Sequence, residues 1–303
     1  MSNKPDQVAE TETKKVNTKT KSIIYVLICV LLWALIPVVS KLGQSGLDNH
    51  QFLFWSSVVS LLTFVVIILT KKKGKEILKL SAKDWIHSTV LGLLGTYLYY
   101  ILLYFGYANA KGIEVLIIQY CWPIFVIVLS IVLLKERLNS RKVISIVLGF
   151  FGVLMVLTKG ELTDIHLDNF FVDGIVLIAA FVFGLFSVLS KKVKIDSLSL
   201  VTIYFLTATV VSFISMISLS EFKLPTQDTV LPILINGILV NGISYIFWIG
   251  ALKIGKASFI APFVFLTPVI STILLIAFFN EPFQLVYVVG MISVILGGLI
   301  NKE

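Results

Sequence analysis

Long apolar runs, separated by short polar segments, make up most of the chain after residue 21. Each run is long enough to cross the hydrocarbon core of a bilayer as an α-helix. The pattern predicts an all-α membrane protein with ten transmembrane helices. The predicted spans are 22–43, 51–70, 84–107, 113–134, 142–158, 173–193, 199–219, 229–250, 257–279 and 283–301. Residues 1–21 are polar and lack apolar periodicity, so we expect a disordered cytoplasmic tail there.

One apolar stretch occurs twice, which indicates an internal duplication. Residues 104–138 read YFGYANAKGIEVLIIQYCWPIFVIVLSIVLLKERL, and residues 248–283 carry similar markers in the same order. The matched positions are Gly106 with Gly250, Lys111 with Lys256, Pro123 with Pro268 and Glu136 with Glu281. We therefore predict two five-helix repeats, residues 22–158 and 173–301. Because each repeat would have an odd number of spans, the two would be inverted in the membrane, an arrangement typical of transporters.

Composition and charge agree with a membrane protein. The chain is 57% hydrophobic and 14% charged, whereas soluble domains are about a quarter charged. With both termini in the cytoplasm, the 25 Lys and Arg residues all lie on that side except Lys41, Lys111, Lys159 and Lys223. We therefore interpret the net charge of +8 as a determinant of orientation, with the lipid bilayer rather than nucleic acid as the partner.

Polar and aromatic residues near the centres of the spans are the candidates for a transport path. Trp33 and Trp122 lie far from either headgroup layer, where an indole N–H needs a partner or water. Two interpretations remain open for them: tryptophans packed between helices, or the wall of a cavity. Phe183 takes the place of Trp33 in the second repeat, and Gln119 lies at a depth similar to that of Trp122.

Helical spacing adds two stripes to this set. Tyr97 and Tyr100 follow one face of the third span, and Asn241 and Tyr245 follow one face of the eighth. Trp248 continues the second stripe, but its place near the end of a span also fits an interfacial belt.

Four prolines within spans are expected to kink their helices, which suits cavity-lining or moving segments. They are Pro37, Pro123, Pro262 and Pro268. Glu114 is the candidate coupling carboxylate, although the helix dipole in the first turn of its helix would favour an anion there without any transport role.

No metal or cofactor is expected. The histidines have no second ligand at metal spacing, and Cys29 and Cys121 lie inside apolar runs. ATP-binding and hydrolase motifs are also missing from the sequence, so we expect a protein that is not an enzyme.

The chain resembles the drug/metabolite transporter superfamily, specifically its EamA-domain members. The segment GYAN…IEV…QYCWP, residues 106–123, is similar to the branch of bacterial inner-membrane exporters of aromatic amino acids. The resemblance implies a multi-pass inner-membrane protein in which the first, third, fourth, sixth, eighth and ninth spans surround a central cavity. It also implies that Tyr120 and Trp122 both belong to the substrate cavity. On a regular helix these two side chains would be about 200° apart, so both face a cavity only if Pro123 distorts the turn.

These features predict a secondary transporter, an exporter by resemblance, for small amphipathic metabolites such as aromatic or other neutral amino acids. Aromatic walls also suit choline-like quaternary ammonium compounds and drugs. A nucleotide-sugar or sugar-phosphate carrier would need a cation in the cavity, and Lys41 and Lys191 are the only candidates. A channel or structural subunit would not need inverted halves. The substrate, the coupling ion and the choice between monomer and homodimer stay open.

Overall fold

The chain is helical throughout the part that the structure describes. The computed structural model describes residues 4–110, 112–164, 169–279 and 283–300, and it contains no strand within them. The α-helices are α1 Lys4–Trp33, α2 Ile36–Gly43, α3 Asn49–Thr70, α4 Gly74–Leu78, α5 Ala82–Gly92, α6 Tyr99–Asn109, α7 Gly112–Gln119, α8 Trp122–Leu134, α9 Ser140–Leu157, α10 Phe170–Lys192, α11 Ser197–Leu219, α12 Gln227–Ile235, α13 Ser244–Ile254, α14 Ala257–Ile260, α15 Leu266–Phe279 and α16 Leu285–Ile300.

Several of these helices join into longer rods. Helices α5 and α6 are connected by a π-helical segment, Leu93–Leu98, and α12 and α13 by another, Asn236–Ile243. A 3-10 segment, Ala261–Phe265, connects α14 to α15. Within the described residues, nine rods or helices are long and apolar enough to cross a membrane, and α16 is a shorter apolar helix.

The all-α membrane class is thus confirmed, whereas the ten-span, two-repeat arrangement remains a prediction. Helix α1 begins at Lys4 and so includes most of residues 1–21. The boundary and the disorder of that tail also remain predictions.

Helices α3 and α11 pack as antiparallel neighbours whose starts are capped in the same way. The Asp48 side chain caps α3 and accepts a hydrogen bond from Ser220, just beyond the end of α11. Asp196 caps α11, with its carboxylate 3.6 Å from the Lys73 ammonium beyond the end of α3. Burial would raise the pKa of Asp196, but hydrogen bonds from Ser199 and the charge of Lys73 hold it below its usual range. Each cap therefore also joins two helices.

Helices α9 and α16 meet through glycines. A Cβ atom on Gly152 would lie 2.5 Å from the carbonyl oxygen of Gly290, and one on Gly290 would lie 2.7 Å from that of Gly152. Gly297 approaches the Ser145 carbonyl in the same way, at 2.9 Å. Only glycine permits this distance between backbones, and small residues are the usual means by which helices pack within a bilayer.

The main contacts between helices are the same for the two halves of the chain: each contact made by a span of one half is also made by the corresponding span of the other half. Helix α1 of the first predicted span packs on α13 of the eighth, and α6 of the third packs on α10 of the sixth. The pairs α3 with α11 and α9 with α16 each join a span to its counterpart in the other half. On the outer surface, apolar side chains such as Leu69 (68% exposed) and Val132 (66% exposed) face the position of the lipid.

Candidate functional site

An aromatic cluster occupies the centre of the bundle. The Trp33 ring lies 5.9 Å from Trp122, 6.1 Å from Phe183 and 5.5 Å from Trp248, measured between ring centroids. Trp122 also meets Trp248 edge to face at 5.3 Å. Tyr245 completes the group at 6.1 Å from Trp33. These rings come from four separated parts of the chain. All of these pairs except Trp33 with Trp248 meet edge to face, a geometry that aromatic quadrupoles favour.

A break in the fourth predicted span brings Tyr120 and Trp122 to the same side. Helix α7 ends at Gln119 and α8 begins at Trp122, with Tyr120 and Cys121 in a turn between them. Pro123 occupies the first turn of α8, where its missing N–H leaves no hydrogen bond unmade. Both Tyr120 and Trp122 consequently line the same cavity.

The π-helical segment before α6 changes which tyrosines face the cavity. A π-helix has wider turns than an α-helix, so residues beyond it are rotated relative to the α-helical register. Tyr99 and Tyr100 line the cavity, whereas Tyr97, within the segment, does not. The predicted stripe assumed 3.6 residues per turn throughout, which is why it selected Tyr97 and overlooked Tyr99.

Neutral polar groups meet beside the rings. The Tyr100 hydroxyl donates to Asn241 Oδ1 at 3.2 Å and lies 3.4 Å from the Tyr245 hydroxyl. The Tyr245 hydroxyl in turn donates to the carbonyl oxygen of Gly95, in the π-helical segment, at 3.5 Å. On the other side, the Gln119 amide donates to the Tyr99 hydroxyl at 2.8 Å. These contacts join the third span to the fourth and to the eighth.

The cavity enclosed by these groups is small. Its volume is about 40 Å³, enough for a water molecule or two. Among the predicted residues, Trp33, Tyr100, Gln119, Tyr120, Trp122, Phe183 and Tyr245 line it. Ile36, Tyr99, Val264 and Thr267 line it as well and were not predicted. Among the described residues, no charged side chain lines the cavity. A ligand of metabolite size fits only after the walls move apart.

A charged cluster lies at one end of the bundle. Glu136 Oε1 accepts from the Ala257 N–H at 3.0 Å and from Lys191 Nζ at 3.3 Å. Its Oε2 accepts from the N–H and the hydroxyl of Ser258, at 2.9 and 2.6 Å. Lys142, only 3% exposed, donates to the same hydroxyl at 2.7 Å. Burial would raise the pKa of Glu136, but the Ser258 hydrogen bonds and the Lys191 charge outweigh it and hold the pKa below its usual range.

The predicted kink prolines other than Pro123 lie at or near breaks between helices. Pro37 lies in the first turn of α2, just after α1 ends, Pro262 lies in the 3-10 segment and Pro268 near the start of α15. Pro232, inside α12, was not predicted. The side chain of Glu114 lies outside the described part of the chain, so its coupling role remains a prediction.

Two further features of the described residues concern metal binding and a second cavity. They contain no group of three His, Cys, Asp or Glu side chains that could hold a metal ion. A larger cavity of about 340 Å³ lies between α1, the 3-10 segment and α16, where its apolar lining includes Leu27, Phe263 and Leu299. None of the rings of the aromatic cluster lines this cavity, whereas Lys19 does.

The model of the EamA-like transporter family matches this chain twice, over residues 20–158 and 171–301. The chain belongs to the EamA-like transporter family. It is therefore a membrane transporter of the EamA type. The two matches fall on the two predicted repeats.

Known proteins similar to this EamA-like chain are mostly transporters without a named substrate. A transporter of Archaeoglobus fulgidus is 26% identical over 286 residues, covering 93% of this chain and 96% of the relative. The transporter YyaM of Bacillus subtilis is 26% identical and covers 78% of each chain. A Rickettsia prowazekii protein named as an S-adenosylmethionine uptake transporter is 25% identical and covers 87% and 86%. A solved crystal structure aligns with a TM-score of 0.82 at 18% identity, covering 93% of this chain and 97% of that one, which shows a shared fold.

Proposed function

We propose that this EamA-like protein is a secondary transporter that moves a small amphipathic metabolite by alternating access around the central cavity. The observation that carries the proposal is the composition of the cavity wall. Aromatic rings and neutral hydrogen-bonding groups from both halves of the chain converge there, and none of the described side chains that line it is charged. Such a wall suits a substrate with an apolar or aromatic body and a compact polar group.

The predicted arrangement of ten spans in two repeats would allow the two halves to move against each other. Two matches to one family model and the corresponding helix contacts of the two halves agree with two inverted repeats. Inverted repeats can exchange conformations and so expose a central site to either side in turn. In that mechanism, the structure with its cavity of about 40 Å³ represents the occluded state, and substrate binding requires a more open conformation.

Aromatic and other neutral amino acids are the proposed substrates, as in the aromatic amino acid exporter branch. Ring faces from Trp122 and Phe183 would stack on the side chain, and Tyr100, Gln119 and Asn241 would hydrogen-bond the polar end. A second class is favoured by the same wall: an organic cation held over ring faces, such as a quaternary ammonium or a sulfonium compound. A nucleotide sugar is disfavoured, because phosphate would meet no cation in the described lining.

The direct test is counterflow in proteoliposomes. Vesicles loaded with unlabelled phenylalanine, choline, S-adenosylmethionine or a nucleotide sugar are tested for accumulation of the same labelled compound. We expect saturable counterflow with an amino acid or an organic cation, and loss of it in Trp122→Ala. Counterflow of the nucleotide sugar alone would contradict the proposed substrate class, whereas unsaturable flux would indicate a channel.

The same vesicles test energy coupling. The described cavity wall has no charge pair, so we propose transport down the substrate gradient without tight proton coupling. Rates should change little when a proton gradient is imposed, and Glu114→Gln should retain counterflow. If Glu114→Gln abolishes gradient-driven accumulation in an otherwise active protein, Glu114 is the coupling residue and the proposal of uncoupled transport is wrong.

A further inference from the structure

We propose that Glu136, Lys191, Ala257 and Ser258 form a latch that holds one end of the transport path closed, and that this latch must open for the substrate to pass through that end. We call this set the Glu136 latch. The inference rests on the proposed alternating-access mechanism. It assigns a gating role to Glu136, which the composition of the cavity does not imply, because no latch residue is among the residues that line the cavity.

The contacts of Glu136 join elements that would have to separate. Glu136 follows α8, within the first family match, whereas its partners all lie in the second. Lys191 is in the last turn of α10, and Ala257 and Ser258 begin α14. Lys191 Nζ also donates to the carbonyl oxygen of Gly255, just before α14. A single carboxylate thus connects the ends of three membrane helices, and it does so across the boundary between the two halves.

The latch closes over a packed layer, not over an open vestibule. Helix α8 buries Trp122, Val126, Ile127 and Ser130 along one face, which runs from the cavity towards Glu136. Ser130 is fully buried, and α8 packs on α10 and α14 along this length. A path from the cavity to this end therefore requires α8 to move away from α10 and α14. The Glu136 contacts are made between those same elements.

The hydrogen bonds of the buried Glu136 carboxylate oppose separation of α8 from α10 and α14. The Glu136 side chain is 8% exposed and accepts two backbone N–H groups, one hydroxyl and one ammonium. Charge-assisted hydrogen bonds are about twice as strong as neutral ones, and removing one partner leaves the others buried and unpaired. Opening requires these donors to find water or other acceptors. The latch therefore favours the closed state until substrate binding or solvent entry offsets its contribution.

The test measures opening directly and needs no substrate. A reporter cysteine replaces Ser130 in a Cys29→Ala, Cys121→Ala background, and its reaction with a hydrophilic methanethiosulfonate is timed in purified protein. We expect slow labelling with Glu136 present and labelling faster by roughly tenfold or more in Glu136→Gln. Lys191→Gln should act in the same direction with a smaller effect, which keeps the test decisive if Glu136→Gln does not fold.

Two controls separate opening from general loosening. Lys192→Gln removes the neighbouring exposed lysine, which makes no latch contact in the described structure, and should leave the Ser130→Cys rate unchanged. A second reporter, Ser88→Cys, is buried in α5 away from the latch and should stay unreactive in Glu136→Gln. Equal labelling of both reporters would mean unfolding and would overturn the latch. A folded Glu136→Gln protein with an unchanged Ser130→Cys rate would overturn it as well. Either result leaves the substrate proposal intact, because that depends on counterflow.

Discussion

At the scale of single residues, the predicted depth of two tryptophans in the membrane can be compared with the contacts that they make. Trp33 and Trp122 each had two interpretations, packing between helices and lining a cavity, and the structure contains both arrangements at once. Each ring packs on other rings and also borders the cavity. Trp248, which fitted an interfacial belt equally well, is fully buried and donates to the Ser187 hydroxyl at 3.1 Å. Residue type and depth were sufficient to select the aromatic centre, but not the partner of each ring.

Tyr97, within the π-helical segment, and Tyr100, just after it, allow a matched test. Tyr100→Phe removes the hydroxyl that meets Asn241 and Tyr245, so we expect KM for the transported substrate to rise about fivefold, as for the loss of one hydrogen bond. Tyr97→Phe should leave KM unchanged, since Tyr97 does not line the cavity. Both are measured by counterflow. A larger effect at Tyr97 would favour the regular helical register over the π-helical one.

At the scale of elements, apolar periodicity located the helices but not their irregularities. The predicted spans 84–107 and 229–250 each contain a π-helical segment, and 22–43, 113–134 and 257–279 are interrupted by turns or 3-10 geometry. The prolines marked three of these interruptions. The π-helical segments had a weaker signal, glycines such as Gly95 and Gly237 that allow a neighbouring helix to approach closely. The first segment packs on α11 and α10, and the second packs on α3. Local sequence does not encode such contacts.

The glycine contact between α9 and α16 gives a prediction about stability. In Gly152→Val the new side chain would collide with the Gly290 carbonyl, so we expect the free energy of unfolding to fall by about 2–4 kcal/mol. Gly174→Val in α10 is the matched control, because a Cβ atom there meets nothing within 4 Å. Its effect should stay near the helix-propensity difference, well under 1 kcal/mol. Thermal unfolding in detergent measures both, and equal losses would contradict the packing of these two helices.

At the scale of the whole molecule, the distribution of basic residues predicts which end of the bundle is cytoplasmic. Lys135, Arg137 and Lys142 gather near the latch, together with Lys191 and Lys192. The positive-inside rule therefore predicts that the Glu136 latch and both termini lie on the cytoplasmic side. If transport is export, the latch closes the side from which the substrate is loaded.

Orientation is measured by one-sided labelling in the cysteine-free background. Lys192→Cys, at the exposed end of α10, should react with an impermeant thiol reagent only in inside-out vesicles. Ser45→Cys, in the exposed turn after α2, should react only in right-side-out vesicles. Labelling of both from the same side would contradict the predicted span count, and the reverse assignment would place the latch on the outer side.

The sequence by itself determined the all-α membrane class, the approximate bounds of the helices and most members of the central aromatic set. These features follow from hydrophobic length and from the cost of burying polar groups in hydrocarbon, and both are properties of local sequence. Only the tertiary structure decided that Tyr99 lines the described cavity, that a break in the helix turns Tyr120 and Trp122 to one side, and that Glu136 meets Lys191 and Ser258. Each of these depends on helix irregularities or on contacts between distant segments. Such contacts form only when the whole bundle packs, so no single stretch of sequence contains them.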